Sequence, residues 1–373
     1  MKICLAPDKF KGSLSASEVC DAIAKGIQES DAAIETLAFP MADGGDGFAS
    51  VLQTWLHTET IHCKTVDPLQ RPVDGTYQWN AAKKTAIIEM AVASGLVLLK
   101  ENERNPLITS SFGTGLLVKD AIGKGAEKII LGIGGSATND GGTGILQALG
   151  FILLDQSGNP LDGTGGNLGQ IDSIIPPPVE PLHFEIACDV QNILVGPNGA
   201  SRVYAPQKGA GPEQVRLLDD GLKNLAAVLK RQTGKDISDI PGTGAAGGLA
   251  APLLCYFDTR LKKGIDMVIA ASGIEKAIGN CDLVITGEGK IDRQSLDGKV
   301  IGKIASLAVS QKIPVIAFCG RLELTKEEVN KTGLSGAWAI GEDLDLAESM
   351  KNAAMLLTRK ARELIRQRPW LSK

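Results

Sequence analysis

The seven cysteines of this 373-residue chain are never closer than sixteen positions apart, so no Cys-x-x-Cys pair offers a zinc site or a redox couple. They read as reduced residues that fill the core. No apolar run reaches the roughly 18 residues that a bilayer-spanning helix needs. The opening Met1–Asp8 is also too short an apolar stretch for a signal peptide, which predicts a cytoplasmic protein. A dense basic block is missing: 39 Lys and Arg stand against 43 Asp and Glu, for a net charge of -4, and nothing points to nucleic acid or membrane lipid as partner. The three histidines have no serine or cysteine nucleophile motif beside them, and no Gly-x-Ser-x-Gly elbow occurs. Each Gly-Lys pair, at 123, 234, 289, 298 and 302, lacks the following Ser or Thr of a P-loop, which excludes that class of NTPase by pattern. Aromatics are only 4%, whereas glycine is abundant at 44 residues and clusters beside Asp, Thr and Ser, as backbone-lined ligand loops would.

The length exceeds what one hydrophobic core usually serves, so two domains with a cleft between them are expected. Ile3–Ala6 reads as a strand, Pro7–Leu14 as a loop, and Ser15-x-x-Glu18 as a capping box that opens a helix with Val19, Ile23 and Ile27 on one face. The unit repeats with a strand at Ile34–Phe39 and a helix carrying Phe48, Val51, Leu52 and Trp55, which implies a parallel sheet. Strands at Leu283–Thr286, Pro314–Phe318 and Ala337–Ile340 continue this rhythm near the C-terminus, and Asp345–Arg368 closes it as a helix. Between them Lys64–Glu89 alternates as antiparallel strands with a turn at Pro72-Val-Asp-Gly75, followed by a strand at Lys128–Leu131 and a hairpin turning at Ser157-Gly158-Asn159. Pro212 starts a helix stopped near Gly234. The fold class is therefore α/β: a Rossmann-like parallel-sheet domain built from 1–63 and 282–373, with a second α/β domain of mixed sheet, 64–281, inserted.

Loops at the ends of predicted parallel strands hold the candidate chemistry. Asp8-Lys9-Phe10-Lys11-Gly12-Ser13 suits an anion such as a phosphate or carboxylate, a solvated basic loop being the plainer alternative. In Asp43-Gly44-Gly45-Asp46-Gly47, paired carboxylates could hold Mg²⁺ or accept a proton, though Asp-Gly is also an ordinary turn. Gly134, Gly135, Ser136 and Asn139 belong to a loop whose N–H groups could cradle phosphates, with Asp140 near a metal. Gly132-x-Gly134-x-x-Ala137 with Asp155 further on, and Gly242-x-Gly244-x-x-Gly247, keep a dinucleotide reading open and with it an NAD-dependent dehydrogenase. Glu288 and Asp292 follow the strand at 283, either as cleft acids or as helix caps. Arg321 could clamp a carboxylate bidentately, and Asp189 ends the strand Glu185–Cys188. A non-enzymatic hydroxy-acid binding protein would leave so many acids unexplained.

Together the strings APDKFKGSLSA at 6–16, PMADGGDGF at 40–48, SFGTG at 111–115 and IGGSATNDGG at 133–142 resemble the bacterial glycerate kinase family, the two-domain α/β type. So do ACDV at 187–190, PQKGA at 206–210, GTGAAGGL at 242–249 and VITGEGKID at 284–292. The resemblance implies ATP-dependent phosphorylation of glycerate, at the 2-hydroxyl, with Mg²⁺. On that reading Lys9, Lys11 and Arg321, with Asp8 and Ser13, handle the glycerate carboxylate and the migrating phosphoryl group, and Asp189, or else Asp43, accepts the hydroxyl proton. Asp46, Glu288, Asp292 and Asp140 are the metal candidates, and ATP phosphates lie against Gly134–Asn139. Two places depart from the family pattern, Asn192-Ile193-Leu194 and Tyr204-Ala205, where Asn-Pro and Phe-Gly are commoner. The implied partner is the small substrate alone, with a homodimer compatible with all of this.

Overall fold

The computed structural model describes residues 1–45, 47–178, 181–293, 299–342, 344–368 and 370. They form two compact units, Met1–Asp43 with Ile265–Lys373, and Gly44–Gly264. The chain opens with β1 (Lys2–Pro7) and β2 (Glu35–Ala38). The long middle segment supplies β3 (Glu59–Val66), β4 (Pro72–Asn80), β5 (Thr85–Glu89) and β6 (Lys128–Gly132). It continues with β7 (Ile152–Leu154), β8 (Pro160–Leu161), β9 (Ser173–Ile175), β10 (His183–Ala187) and β11 (Asp258–Lys262). The return to the first unit adds β12 (Leu283–Ile291), β13 (Val315–Leu322) and β14 (Gly336–Ala339).

In the first unit the strand order is β14-β13-β12-β1-β2, every pairing parallel. β1 beyond Lys2 and the first half of β12, Leu283–Gly287, are buried because both faces of a parallel sheet are covered, and Ile3–Ala6 and Leu283–Ile285 are correspondingly unbroken apolar runs. The helix Ala16–Ser30 carries the capping box expected at Ser15 and Glu18, and it buries Val19, Ile23 and Ile27. It packs on the helix Ala353–Gln367 at Gly26, where a β-carbon would lie 2.2 Å from the Thr358 carbonyl oxygen. From β1 the chain leaves toward β2, whereas from β12 it leaves toward β13 and β14. Such a divergence opens a crevice at the carboxyl ends of the strands, the usual ligand position in this architecture.

The second unit has a mixed six-stranded sheet, β11-β10-β6-β5-β4-β3, parallel from β11 to β5 and antiparallel thereafter, and a small sheet β8-β7-β9. One face carries the core, with Ile129, Leu131, Phe184 and Ile186 beneath the leucines of the helix Pro212–Thr233. On the other face Glu185 is clasped by Lys128 at 2.9 Å and Lys262 at 2.5 Å. Those cations outweigh its partial burial and hold its carboxyl down at about 2.

Local readings differ from the structure in four places. Pro72–Gly75 is not a turn but the start of β4; the chain reverses over 67–71, where the Asp67 carboxylate accepts hydrogen bonds from Leu69 N, Arg71 N and Arg71 Nε. The Gly287–Ile291 stretch is not a loop after a strand but the last part of β12. The closing helix is two, Leu346–Lys351 capped by Asp345, then Ala353–Gln367. The units divide at Asp43/Gly44 and Gly264/Ile265 rather than near 63 and 282, because the helix Phe48–Leu56 packs on β5 and β4, and β3 pairs with β4 along its length.

Candidate active site

In the first unit the loop after β1 sits at the crevice between β1 and β12. Asp8 N donates to the Gly287 carbonyl at 2.8 Å, and Gly289 lies so close to the loop that a β-carbon there would be 3.2 Å from Lys11 N. Asp8 is only 6% exposed, with one oxygen accepting from Lys9 N at 2.7 Å. Burial, reinforced by the charge of Asp43, lifts its carboxyl to about 6, against the pull of Lys9 and Lys299. An acid in that range is poised to exchange protons near neutrality. Lys9 is half-buried, Lys11 exposed, and the Ser13 hydroxyl is committed to the Met350 carbonyl at 2.6 Å, which pins the loop rather than offering a ligand group.

Glu288 and Asp292 lie along the outgoing end of β12, both half-buried, and Glu288 stands close enough to Cys319 for its charge to help push that thiol up, after burial. Lys290 bridges Asp292 at 3.2 Å and Glu323 at 2.8 Å. Arg321 is 75% exposed, with its Nε 3.2 Å from a carboxylate oxygen of Glu323. Asp46 falls outside the described residues. Among the described residues no three His, Cys, Asp or Glu close into a metal cage.

In the second unit the Gly-rich loop leaves β6 at its carboxyl end. Gly135 takes a left-handed φ of 70°, which lets the chain fold back so that Leu96 N donates to its carbonyl at 2.8 Å. The segment 242–248 backs the loop so tightly that a β-carbon on Gly247 would be 2.3 Å from the Thr138 carbonyl oxygen. Those glycines therefore serve close packing, and they follow no strand. Asp155 is equally committed, as a hairpin turn residue accepting from Ser157 N and Asn159 N at 2.8 Å, so the fingerprint at 132–137 lacks its acidic partner.

Asp140 is a correction to the sequence reading. Wholly buried, it accepts from Ser111 N and Ser111 Oγ at 2.7 Å, from Gly142 N at 3.2 Å and from Gly144 N at 3.3 Å. Burial raises its carboxyl while those donors oppose the rise, and its oxygens staple the loop to the helix Phe112–Gly123 instead of facing a metal. Around it Thr138 and Asn139 are also fully buried, and Thr138 Oγ1 and Asn139 Oδ1 have no hydrogen-bond partner among the described residues. Buried polar atoms are ordinarily satisfied, so these two stand out from their well-bonded neighbour Asp140.

Asp189 stands exposed after β10, one oxygen accepting from Gly264 N at 3.1 Å and the other 3.0 Å from where a Gly44 β-carbon would lie. The nearby departures from the family pattern meet in one contact, since the Tyr204 hydroxyl donates to Asn192 Oδ1 at 2.6 Å. Sequence reasoning did not single out two cations. Lys299 is felt by Asp8, and Lys208 is 1% exposed with its amino group on the Gly-rich loop. A lysine between Pro-Gln and Gly-Ala reads as a surface turn; its presence in the PQKGA string was the one available signal.

The sequence matches the family described as the Glycerate kinase family over residues 3–368. It is 41% identical to glycerate 2-kinase of Escherichia coli, over 98% of this chain and 97% of that one. It is 42% identical to a glycerate kinase of Haemophilus influenzae, over 98% of each. The fold matches the crystal structure of a Salmonella typhimurium LT2 protein assigned as glycerate kinase 2, with a TM-score of 0.86, 39% identity and 98% of both chains covered.

Proposed function

The chain belongs to the glycerate kinase family, and from that premise we propose that it transfers the γ-phosphoryl group of ATP to the 2-hydroxyl of glycerate, giving 2-phosphoglycerate and ADP. The observation that carries this reading is the family match over almost the whole chain. The site chemistry agrees with it: phosphoryl transfer asks the protein for charge neutralisation and positioning more than for covalent steps.

In the reading we favour, Lys9, Lys11 and Arg321 neutralise the glycerate carboxylate and the migrating group. Gly134, Gly135, Ser136 and Asn139 receive ATP phosphates on their backbone and amide groups. Asp189 takes the hydroxyl proton, with Asp43 as the second choice. Mg²⁺ needs only one or two carboxylates when phosphates complete its shell, and the acidic edge of Glu288 and Asp292 supplies hard oxygens of that kind. Asp8, held up at about 6 chiefly by burial and further by the charge of Asp43, adds a third carboxyl to the same unit. When bound, Mg²⁺ would supply charge neutralisation on the phosphate oxygens.

Incubation with MgATP and D-glycerate, followed by ³¹P NMR, should show 2-phosphoglycerate and ADP growing together. Intact ATP after prolonged incubation would overturn the reading, and 3-phosphoglycerate would overturn the choice of hydroxyl.

A further inference from the structure

We infer that Lys208 is a positioning residue for nucleotide binding: seated beneath the Gly-rich loop on Ser136 and Thr138, it fixes the loop's shape and takes up a proton when an anionic phosphate arrives. The inference rests on the proposal that this loop receives ATP phosphates. Its basis is geometry inside one unit. The Lys208 amino group donates to Ser136 Oγ at 2.8 Å and to the Thr138 carbonyl at 2.6 Å, so it ties together two residues of the loop from below. It is 1% exposed, a depth at which a lysine rarely remains charged without a partner.

Two hydrogen bonds use both protons of a neutral amine. An ammonium has a third, for which the described residues offer no acceptor. The charged and titratable groups on the segments packed around Lys208 are Asp140, Arg104, Arg202 and Tyr204. Asp140 is the one whose charge reaches it, but both oxygens of that carboxylate are already held by donors from Ser111, Gly142 and Gly144. Arg104 contributes the backbone on which Gly209 rests, Arg202 is turned to Asp219, and the Tyr204 hydroxyl is bonded to Asn192. Burial accordingly brings the Lys208 amine down to about 7. Negative charge arriving beside Ser136 would favour the ammonium.

The test is calorimetric titration of the full-length protein with MgADP at pH 7.5, in two buffers of different ionisation enthalpy, joined to steady-state kinetics. Wild type should take up roughly half a proton per nucleotide, and the uptake should shrink at pH 6, where Lys208 is already protonated. Lys208→Arg, always charged, should bind MgADP without that uptake. Lys208→Met should raise the KM for ATP about 10- to 100-fold while leaving the KM for glycerate unchanged. No uptake by wild type, or equal uptake by wild type and Lys208→Arg, overturns the inference; both readings stand even if Lys208→Met fails to fold. Gly134→Val, whose β-carbon would press on Gly45, separates the two levels. If it weakens MgADP while wild type takes up no proton, only the role of Lys208 falls. If it leaves nucleotide affinity untouched, the loop reading falls and this inference with it.

Discussion

A buried carboxylate beside a second one is costly, and Asp8 carries that cost in the free protein. Its folded value of about 6 lies above its ordinary 3.8, so the native state holds the proton more tightly than the unfolded chain between those values. Stability contributed by this group is therefore lost as pH rises from about 4 through 6. Asp8→Asn keeps the acceptor for Lys9 N and should stabilise the protein by about 1–3 kcal/mol at pH 8, with the gain vanishing near pH 4. Urea melts at the two pH values decide it, and equal stability at pH 8 would show the acid to be compensated. Asp189, in contrast, is exposed. Asp189→Asn should leave the melting curve unchanged and lower kcat about 100-fold or more if it takes the substrate proton; turnover close to wild type would transfer that role to Asp43 or Asp8.

Gly26 lets the helix Ala16–Ser30 lie close against Ala353–Gln367, and Thr358 Oγ1 donates to the Ala22 carbonyl at 2.9 Å. Gly26→Ala should push the helices apart and destabilise by about 1–3 kcal/mol, despite alanine's better helix propensity, because the carbonyl it meets is fixed backbone. A rise in the urea midpoint would contradict that. Elements with a strong period were legible in the sequence: the capped first helix, the leucine helix Pro212–Thr233 with Gly234 in the left-handed cap, and the buried β1 and β12. The turn before Pro72 was not, because a Pro-Val-Asp-Gly string carries stronger turn chemistry than the Asp-Pro-Leu-Gln-Arg stretch that reverses the chain through the Asp67 carboxylate. The Gly-rich loops were visible as loops. What they leave unsaid is which polar groups spend themselves on structure, as Asp140 and Ser13 do, since that depends on partners 29 and 337 positions away.

At the scale of the molecule, Gly44–Gly264 is continuous in sequence and has its own core of Ile129, Leu131, Phe184 and the leucines packed on them. The isolated segment 44–264 should unfold cooperatively in urea with native-like near-ultraviolet circular dichroism; a broad, featureless transition would show that it depends on the remainder. The first unit is different, because β1 is flanked by β2 on one side and by β12 on the other. During synthesis, β1 emerges with its apolar face complete but its principal neighbour unmade. At about 5–20 residues per second, the ribosome needs tens of seconds to reach β12. For that interval an Ile-Cys-Leu-Ala edge has no strand to pair with on that side, while the segment behind it can already close around its own core. Production of this protein should thus respond to elongation rate and chaperone supply through its first forty residues, although most of the later-made chain folds without waiting for them.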